Sequence, residues 1–313
     1  MANFALILLG LGSGYLFKRT GILPRTAAQA FNVVVIYLGL PALIFQVVPK
    51  LFGHSEAGAP LFIPLSMAWL SFGMAAALFG FLGKRRGWSR STTGAMILMV
   101  GLGNTSFVGI PLLDALYGAE SLPTILLVDQ PGSFLCLATV ASITASIFGG
   151  HKPSAWTIAR KVLTFPPFIA LILGLVAAFT LSPGARAPID AVCAKLSPTV
   201  VPLSLLSVGL QLEVSVAILR RRAEHLVLGL GAKLVLLPLL LTALYVGALK
   251  STAFSTKITL LEGAMAPMIT GAILVTESRL DEEIGALMIG VGIPISLATV
   301  PVWDWVLSHV VMR

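Results

Sequence analysis

GAMILMVGLGNTSFVGIPLLDALYG (94–118) and KITLLEGAMAPMITGAILVTES (257–278) are each long and apolar enough to cross a membrane, yet each is interrupted near its middle. The first carries GLGN at 101–104 and then Pro111; the second carries Gly263 and Pro267, with Glu262 just before. In hydrocarbon every backbone polar group needs a partner, so unwound chain survives there only inside protein or beside a water-filled cavity. A matching pair of interrupted spans in the two halves of a chain points to the binding site of a secondary transporter.

Working outward, 57% of the 313 residues are hydrophobic and only 11% are charged, with a mean hydropathy of +0.96. Soluble domains average about 25% charged residues, so the composition is that of a membrane protein. The net charge of +8 does not imply nucleic acid, because the basic residues lie in short clusters between apolar runs. A span takes about 20 apolar residues. Ten are expected: 2–17, 31–49, 61–83, 94–118, 121–148, 155–182, 189–212, 225–249, 256–277 and 284–308.

Fourteen of the 21 Lys and Arg residues fall in the odd-numbered loops, among them Arg25, Arg85 and Arg221. Six, including Lys50 and Arg313, fall on the other side, and Lys233 lies within a span. The positive-inside rule then makes the odd loops cytoplasmic and turns both termini outward. Lys18 and Arg19 follow the first apolar segment rather than precede it, which favours a true span over a cleaved signal. Cys136 and Cys193 lie within or beside spans with no metal spacing and read as small buried hydrophobes.

The two halves share positions. LPALIF (40–45) aligns with VPLSLL (201–206), and the break of the fourth span aligns with that of the ninth, Gly109 falling on Gly271. Five spans per half is an odd number, so the second half must enter the membrane from the opposite side. The expectation is an all-α polytopic protein of two inverted repeats, 1–150 and 151–313, with discontinuous, crossing fourth and ninth helices.

Proline lacks an N–H and clashes with the carbonyl four residues back, so Pro111 frees the carbonyl near Phe107 and Pro267 the one near Gly263. Gly101, Gly103, Gly109, Gly263 and Gly271 are expected to mark the breaks. Half-helix N-termini meeting at the midplane suit a carboxylate, and the opposing carbonyl ends suit a cation. Asn104 can donate to an anion while Thr105 and Ser106 cap the second half-helix. The bland alternative for all three is that they satisfy broken backbone or pack against a neighbouring helix. Phe107, Met265, Ala266, Pro267 and Thr270 complete the expected substrate contacts.

Glu262 costs roughly 2.5–3.5 kcal/mol on insertion scales, which marks it as facing a cavity or an ion path. It could take a proton, bind a sodium ion with nearby carbonyls, or serve as a structural acceptor. Asp129, followed by Gln130 and Pro131, lies about 12 Å into the fifth span and joins Glu262 and Gln130 as a coupling candidate. Lys233 sits at similar depth in the eighth span, where a pair with Asp129 is conceivable; the preferred reading is a structural ion pair or snorkelling.

GLGNTSFVGIPLLDALYG (101–118) and LLEGAMAPMITGAILVTESRLDEEIGALMIGVGIPISLATVPVW (260–303) resemble the signature regions of the auxin efflux carrier family in its bacterial branch. The resemblance spans essentially the whole chain. It implies a fold similar to the bile acid:sodium symporters. Spans 1, 2, 6 and 7 would form a scaffold, often a dimer contact; spans 3–5 and 8–10 would form a transport core. It implies small organic anions, auxin-like or malonate-like, as substrates, no cofactor, and a bacterial inner-membrane location. The family's crossover Asn matches Asn104 and its crossover Pro matches Pro267; Glu262 resembles the glutamate that helps bind sodium in the bile-acid branch. Two departures stand out: no Asn sits beside Pro267, and the long central loop of plant members is absent.

A sodium-coupled organic acid symporter is the alternative within transport, with a proton or sodium as the coupling ion. An intramembrane enzyme lacks a constellation: there is no GxSxG or HExxH, and His54, His151, His225 and His309 lie in loops or near span ends. A channel would need a continuous polar face, whereas polar residues here gather at two breaks and one acidic helix.

Overall fold

The structure is a computed structural model that describes residues 2–24, 26–49, 60–152 and 154–312. Arg25, Lys50, His54 and Arg313 lie outside the described residues. Among those described, the regular elements are all helical.

In chain order the helices are α1 (Ala2–Thr20), α2 (Ala27–Val47), α3 (Phe62–Arg86), α4 (Arg90–Gly101), α5 (Ile110–Tyr117) and α6 (Leu122–Phe148). There follow α7 (Ala155–Leu163), α8 (Pro166–Thr180), α9 (Pro183–Gln211), α10 (Val216–Arg221) and α11 (Ala223–Ala248). The last three are α12 (Phe254–Gly263), α13 (Ile269–Glu277) and α14 (Glu282–Val311). Among the described residues six helices are long and apolar enough to cross a membrane: α2, α3, α6, α9, α11 and α14. A seventh span arises if α7 and α8, bent by 57° at Pro166, count as one. The protein is therefore a multi-pass membrane protein. Of the expected ten spans, the first, fourth and ninth are not among these; the fourth and ninth fail on length because their helices are interrupted.

Local chemistry sets the ends. Gly87 closes α3 at φ 67°, a left-handed cap that lets Trp88 N–H reach back to the Gly83 carbonyl at 2.9 Å. Ser89 then opens α4 by accepting from Thr92 N–H at 3.0 Å. Some prolines inside apolar helices sit at wide π-helical turns, whereas Pro294 and Pro301 lie within the regular part of α14. Val35–Gly39, Thr105–Gly109 and Ala232–Leu236 each end two residues before a proline, at Pro41, Pro111 and Pro238; Val128–Phe134 contains Pro131. The wider turn accommodates the ring and the missing N–H.

The chain divides into two compact units. The first comprises Met1–Gly58, Ser106–Leu126 and Ala159–Leu212. In it α1 lies against α9 at glycines: a Cβ on Gly14 would stand 2.3 Å from the Leu206 carbonyl oxygen, and one on Gly209 2.3 Å from that of Leu11. Ser207 Oγ donates to the Ala28 carbonyl at 3.0 Å, fixing α2 to the same helix.

The second unit comprises Ala59–Thr105, Leu127–Ile158 and Glu213–Arg313. At one end of it Arg222 pairs with Asp281 and Glu283, both at 3.0 Å, and Arg86 pairs with Glu224. Lys257 pairs with Asp304 at 2.9 Å near the end of α14.

Candidate functional site

The site is built within the second unit, where α4 stops at Gly101 and α12 stops at Gly263. After Gly101 the chain turns extended, with Leu102 at φ −103°, ψ 126°; Met268 is likewise extended at φ −73°, ψ 128° before α13 begins. The two extended stretches run antiparallel and pair with each other. Asn104 N–H donates to the Ala266 carbonyl at 2.8 Å, and Met268 N–H donates to the Leu102 carbonyl at 3.1 Å, around a bridge between Gly103 and Pro267. Each break thus satisfies backbone groups that the other helix end leaves open, which is what a buried interruption requires.

The breaks expected at GLGN (101–104) and around Gly263 and Pro267 fall at 102–104 and 264–268, whereas those expected at Gly109, Pro111 and Gly271 are absent. Gly109 is helical at φ −62°, ψ −55°, and Pro111 lies in the first turn of α5, so neither interrupts the chain. Gly271 lies inside α13, where a Cβ would meet Leu102 Cδ1 at 3.3 Å; it permits close packing rather than a break. Gly101 and Gly263 are the last residues of their helices, as expected.

The surroundings are closed to solvent. Asn104, Thr105, Met265, Ala266 and Pro267 are all buried. Thr105 Oγ1 donates to Asp129 Oδ1 at 2.5 Å, and Gln130 Nε2 donates to Asp129 Oδ2 at 2.6 Å. The wide turn around Pro131 presents Asp129 and Gln130 to the break. The expected capping role of Thr105 is therefore replaced by a bond to Asp129. Ser106 is half-buried and Phe107 buried, and both belong to the first unit; Thr270 is exposed and is not gathered with the buried group.

Glu262 is fully buried, and among the described residues neither of its carboxyl oxygens has a hydrogen-bond partner. Asp129 and Lys233 are the charges within electrostatic reach of it. Lys233 is 1% exposed, so it does not snorkel. Its Nζ donates to the Gly263 carbonyl at 3.5 Å, a carbonyl that the end of α12 leaves without a helical donor, and it does not pair with Asp129. Sequence reasoning undervalued this lysine. The available signal was a cation well inside an apolar helix, which by its cost marks function by default.

Apolar spans around a buried, partly charged centre at two paired helix breaks define the class as a multi-pass membrane protein with an interior polar site. Residues 1–304 match the model of a family described as membrane transport protein. An uncharacterized transporter of Methanothermobacter thermautotrophicus is 28% identical over 296 residues, covering 94% of each chain. An uncharacterized transporter of Methanocaldococcus jannaschii is 28% identical over 307 residues, covering 95% of each. The chain belongs to the auxin efflux carrier family of membrane transport proteins.

Proposed function

We propose that the protein is a secondary transporter of small organic anions, carboxylates of auxin-like or malonate-like size, working by alternating access with the substrate held at the paired breaks. The observation that carries the reading is the bridge between Gly103 and Pro267 with Asn104 buried at its edge. Such a bridge sets two helix ends against each other, with peptide dipoles directed into one small volume. Asn104, Thr105, Ala266 and Pro267 would contact the anion, Met265 would line it, and Glu262 with Asp129 and Gln130 would carry the coupling ion.

In the same proposal the molecule is a ten-span protein of two inverted repeats, with a bile acid:sodium symporter-like fold and crossing fourth and ninth helices. Spans 1, 2, 6 and 7 form the scaffold and a homodimer contact; spans 3–5 and 8–10 form the moving core. It sits in a cytoplasmic membrane with both termini outside and uses no cofactor. A sodium-coupled symporter is the second reading, favoured by the buried Glu262 carboxylate, which has no hydrogen-bond partner among the described residues.

Uptake into proteoliposomes, with a panel of mono- and dicarboxylates under separately imposed proton and sodium gradients, tests the proposal. Saturable uptake with counterflow supports a carrier. Flux that rises without saturation would make the protein a pore, and no flux of any carboxylate would remove the anion reading.

A further inference from the structure

Lys233 touches both broken segments at once. Its Nζ donates to the Gly263 carbonyl at 3.5 Å and lies 3.2 Å from the point where a Cβ on Gly103 would stand. The first contact is to the end of α12 and the second to the stretch after α4. Gly103 therefore has a steric role, since any side chain there would press on the ammonium. Glu262, the residue before Gly263, is fully buried and has both carboxyl oxygens without a hydrogen-bond partner among the described residues. The ionisable groups within electrostatic reach of Lys233 are Glu262 and, on α6, Cys136; Asp129 on α6 acts on Glu262.

A buried carboxylate within electrostatic reach and an open carbonyl at a helix end are ligand chemistry of a small hard cation, which takes oxygen donors of this kind. Burying such a group of negative and partly negative atoms is unfavourable unless a positive charge sits among them. In this chain that charge arrives on the side chain of α11. We infer that the Lys233 ammonium is a tethered cation that takes the position a free sodium ion would occupy between the two breaks, so that the anion cycle runs without a metal cation. This rests on the reading of the breaks as the anion site. It decides against the sodium-coupled alternative, and it leaves Glu262 to exchange a proton rather than a metal.

Removing the ammonium while keeping the oxygen ligands opens a place for a free cation, so Lys233→Ala is the informative variant. Two readouts separate this inference from the transport reading. The first is the thermal midpoint of the purified protein in detergent, with sodium chloride or methylammonium chloride titrated against choline chloride. The wild type should be indifferent to either cation. Lys233→Ala should gain ~5 °C at saturating concentration of one of them, as expected when a ligand binds only the folded state.

The second readout is carboxylate uptake in proteoliposomes. Wild-type uptake should be equal in sodium and in choline. Lys233→Ala should lose at least ~10-fold in choline and regain most of it in sodium or methylammonium. Wild-type uptake that requires sodium would overturn the inference, as would a Lys233→Ala protein indifferent to both cations in the thermal assay. If Lys233→Ala folds only when purified in one of the two cations, that rescue supports the inference. If it folds in neither, Lys233→Met, which keeps the volume without the charge, replaces it in the same titration, and its failure to fold or to respond overturns the inference. A wild type that transports no carboxylate would sink the proposed function, and the thermal titration would still decide the role of Lys233.

Discussion

Trp303 Nε1 donates to the carbonyl of Leu234 at 2.8 Å. Leu234 stands four residues before Pro238, whose missing N–H would have been the ordinary helical donor to that carbonyl. A related arrangement occurs at the second break, where Lys233 Nζ meets the Gly263 carbonyl that the end of α12 leaves without a helical donor. In both places a carbonyl lacks its ordinary helical donor, and a long side chain supplies one.

The indole bond gives the first prediction. Trp303→Phe keeps the ring and removes the donor, and should cost about 1 kcal/mol, the typical net value of such a bond. Pro238→Ala restores a backbone donor to the Leu234 carbonyl, so in that background Trp303→Phe should cost much less. Thermal midpoints of the four proteins of this cycle measure the coupling. Equal costs in the two backgrounds would show that the indole serves only to pack.

Thr105 and Asp129 give the second. Thr105→Val leaves the buried Asp129 Oδ1 without the hydroxyl that donates to it at 2.5 Å. The expected loss is about 1–3 kcal/mol. Thr105→Ser retains the donor and should stay within a few tenths of the wild type. Thermal unfolding in detergent distinguishes the pair, and a Val variant as stable as the Ser variant would contradict the bond.

The third concerns the approach of α1 to α9 in the first unit. A Cβ on Gly14 would stand 2.3 Å from the Leu206 carbonyl oxygen, a backbone atom that cannot rotate away. Small residues let membrane helices approach this closely. Gly14→Val should separate the helices and lower the yield of monodisperse protein severalfold. Gly12→Val, with nothing within 4 Å of its Cβ, should not. Size-exclusion profiles of the two compare them directly.

Function supplies the fourth. Asn104→Ala should abolish carboxylate uptake without loss of folded protein, since its backbone N–H still reaches Ala266. Glu262→Gln should leave exchange of substrate for substrate intact while uncoupling net uptake from its driving ion. Wild-type kinetics in the first variant would remove Asn104 from the site; unchanged coupling in the second would shift the role to Asp129.

The sequence alone determined the membrane class, the interrupted character of segments 94–118 and 257–278, and the family. These follow from composition, from apolar run length and from two long motifs, all of which are local. It also marked Asn104, Glu262 and Asp129, because polar groups are conspicuous where the surroundings are apolar. Gly109, Pro111 and Gly271 misled, since glycine and proline report where a helix can yield, and a wide turn or close packing absorbed them. Only tertiary structure decided that residues 102–104 pair with 266–268, that Thr105 turns to Asp129, and that Lys233 ends on the Gly263 carbonyl. Those partners are distant in the chain, and an orphaned backbone group can be read from a proline while the side chain that reaches it cannot.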